Sequence, residues 1–116
     1  MVDDLDSVFR ALADPTRRAM LQALAEQPRT VGELAAPYSM SLAAASKHIQ
    51  VLERAGLLSR DIQGRTHTCR LEARGLHAGA EWIAHYTRFW NDRLDALQSA
   101  LEAEDAASPA PRRPTP

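Results

Sequence analysis

The chain has 116 residues, an apolar share of 45% and a formal net charge of −1 at pH 7, which fits a single globular domain with a modest core. Its one cysteine, Cys69, excludes an internal disulfide and a multi-cysteine zinc site. There is no run of roughly eighteen apolar residues, and the start, Met1 to Asp6, is acidic where a signal peptide would be basic, so a cytoplasmic location without a membrane partner is expected.

In chain order, a first helix is expected from Asp3 to Ala13, with Leu5, Val8, Phe9 and Leu12 on one side. Asp14-Pro15 then reads as an N-cap followed by proline at the first helical position, where its missing N–H costs nothing. Arg17 and Arg18 open this second helix beside its N-terminal dipole and are expected to clamp phosphate. An apolar stripe of Met20, Leu21 and Leu24 follows and stops before Pro28. Thr30-Val-Gly-Glu33 has the spacing of a capping box and opens a short third helix through Leu34 and Ala35, curtailed by Pro37. Only Pro37-Tyr-Ser-Met40 separates it from a fourth helix, a connection typical of a helix-turn-helix.

The fourth helix, within Ser41 to Leu58, is the most informative stretch. Ser41 is a good N-cap, and Leu42, Ala45, Ile49 and Leu52 form an apolar stripe that faces a core. The other face carries Ala43, Ala44, Ser46, Lys47 and Gln50: small residues, then a hydroxyl, a cation and an amide. A solvated helix face usually pairs Glu with Lys at four-residue spacing; small residues near the N-terminus instead allow close approach to a duplex while Ser and Lys reach phosphates or base edges. Gly56 supplies the left-handed position that ends the helix.

Leu57 to Ile62 and Thr66 to Leu71 read as two strands joined by Gln63-Gly64-Arg65. With Arg65 at the tip and Arg60 and Arg70 on the arms, this wing suits straddling a phosphate backbone or entering a minor groove. Cys69 is expected to be a small, half-buried apolar residue. Charge is segregated to match: Ser41 to Arg74 has a surplus of three positive charges, and Gly75 to Asp105 a deficit of four.

A long last helix is expected from Gly75 to Glu104, ragged at its start because Gly75 and Gly79 weaken its first turns. It carries four of the six aromatic residues, Trp82, Tyr86, Phe89 and Trp90, and a stripe of Ile83, Tyr86, Trp90, Leu94, Leu97 and Leu101. That is more apolar surface than a small fold buries alone, so a two-fold dimer interface is expected here, joined by Leu5 and Val8 of the first helix. The expected organisation is one domain over residues 1–105 and a disordered, proline-rich tail over 106–116.

Phe9-Arg-Ala-Leu-Ala-Asp-Pro-Thr-Arg-Arg18, the stretch from Ser41 to Leu58 and Trp82 to Leu97 together resemble the winged helix-turn-helix repressors of the ArsR/SmtB type, over roughly Leu5 to Glu104. The fold class that this resemblance implies is mainly α with a small β-hairpin, dimeric through its N- and C-terminal helices. It implies a homodimeric repressor of double-stranded DNA, with recognition helices in successive major grooves of an inverted repeat. The family's base-reading positions fall on Leu42, Ala43, Ser46 and Lys47, with His48 at the helix's inner edge, and its wing contacts on Gln63, Gly64 and Arg65. Many members carry glutamine where this chain has Leu42, so contact with a thymine methyl replaces an amide contact, unless Leu42 belongs to the core.

Metal sensing does not follow from the resemblance. Thiolate sensors place paired cysteines on the helix corresponding to Glu33-Leu-Ala-Ala36, where this chain has alanines. On the last helix only His77, Glu81 and His85 offer ligands at four-residue steps, and Glu81 and His85 are expected to be a surface pair. No metal and no cofactor are expected, and the small-molecule effector is unknown. A metal-responsive repressor using His77, Glu81 and His85 and a winged-helix protein-interaction module are the alternatives. An enzyme is not expected: the chain has no Ser/His/Asp spacing, glycine-rich phosphate loop or evident carboxylate pair.

Overall fold

The computed structural model describes residues 2–107. Five helices and three strands follow in the order α1 (Val2–Leu12), α2 (Pro15–Glu26), β1 (Arg29–Thr30), α3 (Val31–Ala35), α4 (Leu42–Arg54), β2 (Leu58–Gln63), β3 (Thr66–Leu71) and α5 (Ala73–Ala107).

The helix starts are set locally. Asp14 caps α2, its Oδ2 accepting from the Arg17 backbone N–H at 3.0 Å, with Pro15 at the first helical position. At α3 the capping box is complete: Thr30 Oγ1 accepts from Glu33 N–H at 3.1 Å, and Glu33 Oε1 accepts from Thr30 N–H at 2.9 Å. Ser41 Oγ accepts from Ala44 N–H at 3.1 Å and starts α4. After α4, Gly56 takes φ +73°, a left-handed value that only glycine adopts cheaply, and turns the chain into β2.

The strands form one antiparallel sheet in the order β1-β3-β2. Gln63 pairs with Thr66, so Gly64 and Arg65 form a two-residue turn. The expected hairpin is present as β2 and β3, and a third strand joins it: Arg29 and Thr30 pair with Cys69 and Thr68 at the start of α3.

The chain forms two compact units, Met1–Glu81 and Trp82–Pro116. In the first, Val8, Met20, Ile49, Leu52, Leu57, Leu58 and Cys69 are fully buried in one core. Two expectations change here. Val8, assigned to a dimer interface, is 0% exposed and belongs to this core, and Cys69 is buried completely, not by half.

The start of α5 also differs. It begins at Ala73, two residues early, and Gly75 and Gly79 are buried. A Cβ on Gly75 would collide with the backbone carbonyls of Ala55 and Gly56, and the Gly75 N–H donates to Gly56 O at 2.8 Å. The glycine that looked like a weakness in the helix is what lets it dock on the α4–β2 turn, since nothing larger than hydrogen fits. At its other end α5 reaches Ala107, two residues into the segment expected to be tail, while residues 108–116 lie outside the described residues.

In the second unit the apolar stripe of α5 is about half exposed: Trp82, Ile83, Tyr86, Phe89, Trp90, Leu94, Leu97 and Leu101 are 45% to 59% exposed. Trp82 stacks obliquely on Tyr86, ring centroids 4.7 Å apart, and Phe89 meets Trp90 edge-on. No helix among the described residues is long and apolar enough to cross a membrane.

Candidate nucleic-acid interface

Packing fixes which side of α4 is inward: Ala45, Ile49 and Leu52 are buried, while Ala43, Lys47 and Gln50 are exposed. Leu42, expected on the inward stripe, is 62% exposed. It occupies the first turn, ahead of the point where α4 meets the core, and so stands with Ala43 on the open face. An isolated leucine left in water at a helix N-terminus is suited to an apolar contact such as a thymine methyl.

The N-terminal half of α4 forms one wall of a groove of ≈ 580 Å³. Leu42, Ala43 and Ser46 line it from α4, Thr30, Val31 and Gly32 from the start of α3, and Arg60, Arg65, Thr66 and His67 from the wing. Four of the positions singled out in the sequence, Leu42, Ala43, Ser46 and Arg65, thus meet in one concavity. Gln63 and Gly64 are exposed in the wing beside it, and Lys47 is exposed on α4 outside the lining.

Arg17 and His48 have a different place. Arg17 Nε donates to Ala11 O at 2.8 Å and its Nη2 to Arg10 O at 3.0 Å, so it caps the last turn of α1, whose carbonyls lack helical partners. Its Nη1 reaches His48 Nδ1 at 3.2 Å, and Asp14 Oδ2 lies 3.8 Å from the same nitrogen. Arg17, expected to be a phosphate clamp, is committed to tying α1 and α2 to α4. His48 is the α4 end of that tie and is largely enclosed. The Asp14 carboxyl is held below the usual carboxylate range, chiefly by the Arg17 backbone N–H, with the Arg17 and His48 charges adding to this. Arg18 donates to Leu12 O at 2.7 Å but remains exposed.

Arg60 was expected on an arm of the wing facing phosphate. Its side chain is only 11% exposed, and its Nη2 donates to Glu53 Oε1 of α4 at 2.9 Å. It also bonds His67 Nδ1 through Nη1 at 3.2 Å, while its buried Nε has no protein partner. This strut fixes the wing on α4. Strand alternation foretells it: Leu58 faces the core, so Arg60, two residues on, faces the same way. Arg70 is exposed. Cys69 is paired with Arg60 across the strands, and burial pushes its thiol pKa up, which makes it a poor nucleophile.

On α5, His77 Nε2 lies 3.4 Å from Glu81 Oε2, so the surface pair is His77–Glu81 and not Glu81–His85. His85 instead sits edge-on against Tyr86, centroids 5.0 Å apart. Among the described residues no group of three or more His, Cys, Asp or Glu side chains is placed to hold a metal ion.

Comparison with known proteins agrees with this geometry. Residues 12–61 match a family model described as a helix-turn-helix domain. The chain is 35% identical over 99 residues to the HTH-type transcriptional regulator Rv2034 of Mycobacterium tuberculosis, covering 85% of this chain and 90% of that one. It is 28% identical over 82 residues to the transcriptional repressor SdpR of Bacillus subtilis, covering 71% and 91%. The crystal structure of the ArsR family transcriptional regulator RHA00566 superposes with a TM-score of 0.74 at 42% identity, covering 78% of this chain and 94% of that one. The homodimeric winged helix-turn-helix DNA-binding domain of Mb0332 from Mycobacterium bovis does so at 0.57 and 26%, covering 82% and 85%. The chain belongs to the ArsR family of winged helix-turn-helix transcriptional regulators.

Proposed function

We propose that this regulator is a homodimeric, cytoplasmic repressor that binds an inverted-repeat operator in a promoter and blocks polymerase, without a metal effector and without enzymatic activity. The observation that carries the reading is the groove between α4 and the wing, where Leu42, Ala43 and Ser46 face Arg65. Small residues on α4 let the helix backbone approach base edges, and Ser46 and Lys47 supply polar contacts. Arg65, Gln63 and Gly64 place the wing on the adjacent backbone, and Arg18 is the α2 cation left exposed toward solvent.

The dimer rests on the half-exposed stripe of α5 from Trp82 to Leu101, which a second copy would cover. Mb0332 is described as a homodimer and SdpR as a repressor, which supports the same assignment here. Two copies present two α4 helices to major grooves one helical turn apart, about 34 Å. A mobility shift at physiological salt, on DNA from upstream of the chain's own gene and with and without zinc or chelator, tests the whole reading. A sharp shift indifferent to both additions is expected. A shift that depends on metal contradicts the metal-free assignment, and the absence of a shift from folded dimer contradicts action on that promoter.

A further inference from the structure

His67 is not among the residues assigned above to DNA contact, yet it lines the groove between α4 and the wing. Its Nδ1 lies 3.2 Å from Arg60 Nη1. A guanidinium has donors only, so Nδ1 accepts and the neutral ring carries its proton on Nε2. Arg60, whose side chain is 11% exposed, is itself anchored by Glu53 of α4 at 2.9 Å, so the tautomer is set by a strut within the protein. Nε2–H is then the ring's remaining polar group, in a groove that also holds the Ser46 and Thr66 hydroxyls and the Arg65 guanidinium.

We propose that His67 is a ligand of the DNA backbone, donating Nε2–H to a phosphate oxygen of a duplex seated between α4 and the wing, with Arg60 as the positioning residue that fixes the tautomer. The proposal rests on the DNA-binding reading of the groove. Phosphate is favoured over a base edge because His67 stands on the wing and not on the helix that enters the major groove, and its groove neighbours Arg65, Thr66 and Ser46 all offer donors to an anion. A neutral donor contributes to affinity without displacing a counterion, which separates it from Lys47 and Arg65.

The test is a fluorescence-anisotropy titration of the full chain at mildly alkaline pH. Wild type, His67→Phe and, as a cationic reference, Arg65→Ala are titrated over a range of salt. Two duplexes of equal length serve as probes, one from upstream of the chain's own gene and one of mixed sequence. His67→Phe is expected to weaken binding to both by a similar factor, roughly 3- to 10-fold, with the salt slope unchanged; Arg65→Ala is expected to lower the slope by about one. Wild-type affinity in His67→Phe, a loss confined to the promoter duplex, or a fall in slope each overturns the proposal. Should His67→Phe fail to fold, ring 15N spectra of the wild type decide: an Nε2-protonated ring whose Nε2 signal moves on adding DNA is expected, and an Nδ1-protonated ring or an unmoved signal overturns it. Wild type that binds neither duplex overturns the DNA reading and this inference with it, whereas normal wild-type binding with an indifferent variant overturns the inference alone.

Discussion

In the unit ending at Glu81, Met20, Ile49, Leu52 and Leu57 have no solvent contact; in the unit beginning at Trp82, side chains as large or larger are about half exposed along one helix. Ile49 and Leu52 sit at helical spacing on α4, as the large side chains do on α5, and both sets look like core in the sequence. The difference is what each helix has beside it within one chain. Elements α1 to α4 and the sheet close over their own apolar stripes, whereas among the described residues of the second unit no other element covers α5. Ile83, Trp90 and Leu97 recur every seven residues, with Leu94 and Leu101 one turn after the last two, a seam suited to another helix. A periodic stripe therefore locates burial without saying whose surface provides it.

The largest effects are expected inside the first unit. Leu52→Ala removes a fully buried side chain from the point where α4 meets the core, and a loss of ~2–5 kcal/mol is expected, read as a large drop in thermal midpoint. Gly75→Ala is a subtler attack on the same unit. Its Cβ would strike rigid carbonyls, so ~1–3 kcal/mol should be lost even though alanine favours helix, by denaturant melting. A more stable Gly75→Ala protein would contradict the close approach of α5 to the α4–β2 turn.

In the second unit, Trp90→Ala is expected to leave the winged unit folded and to weaken self-association by roughly 30-fold, about 2 kcal/mol, measured by sedimentation equilibrium. Loss of fold in that variant would mean that the stripe serves its own chain. The open face should behave as neither core nor seam: Lys47→Ala, outside the groove lining, and Arg65→Ala, within it, are expected to change stability by less than about 0.5 kcal/mol while each reduces the salt slope of DNA binding by about one. A local effect, and one that depends on pH, concerns Asp14. Asp14→Ala should cost ~1 kcal/mol as a lost N-cap. Because its folded-state pKa lies below the ordinary 3.8, its contribution is present at neutral pH and disappears as pH falls through and below that value. An acid titration of stability should therefore be shallower in Asp14→Ala than in wild type.

Most of this organisation is legible in the sequence because it is local. Asp14-Pro15, Thr30-to-Glu33, Ser41 and Gly56 mark their boundaries through bonds that span only a few residues, and each stands where the spacing placed it. The departures are long-range. Arg17 and Arg60 looked like free cations because their partners, the carbonyls of α1 and the side chains of His48, Glu53 and His67, come together only in the folded chain. A two-residue strand such as β1 leaves no period to read. Gly75 reads as a helix breaker until the opposing carbonyls are in place. Val8 sits on the same apolar stripe as Leu5, and only the folded packing separates the two: Val8 is fully buried, with its Cγ1 against the side of α5 where a Cβ on Gly79 would lie.

The most direct test of the central claim is the mass of the complex formed at physiological salt on a duplex carrying the DNA upstream of the chain's own gene, measured by native mass spectrometry or sedimentation velocity. Two chains per duplex are expected, and one chain or none for a protein carrying Trp90→Ala at the same concentration. A wild-type complex containing a single chain, or an unchanged two-chain complex in the variant, would contradict the claim that α5 joins two copies so that their grooves engage one operator.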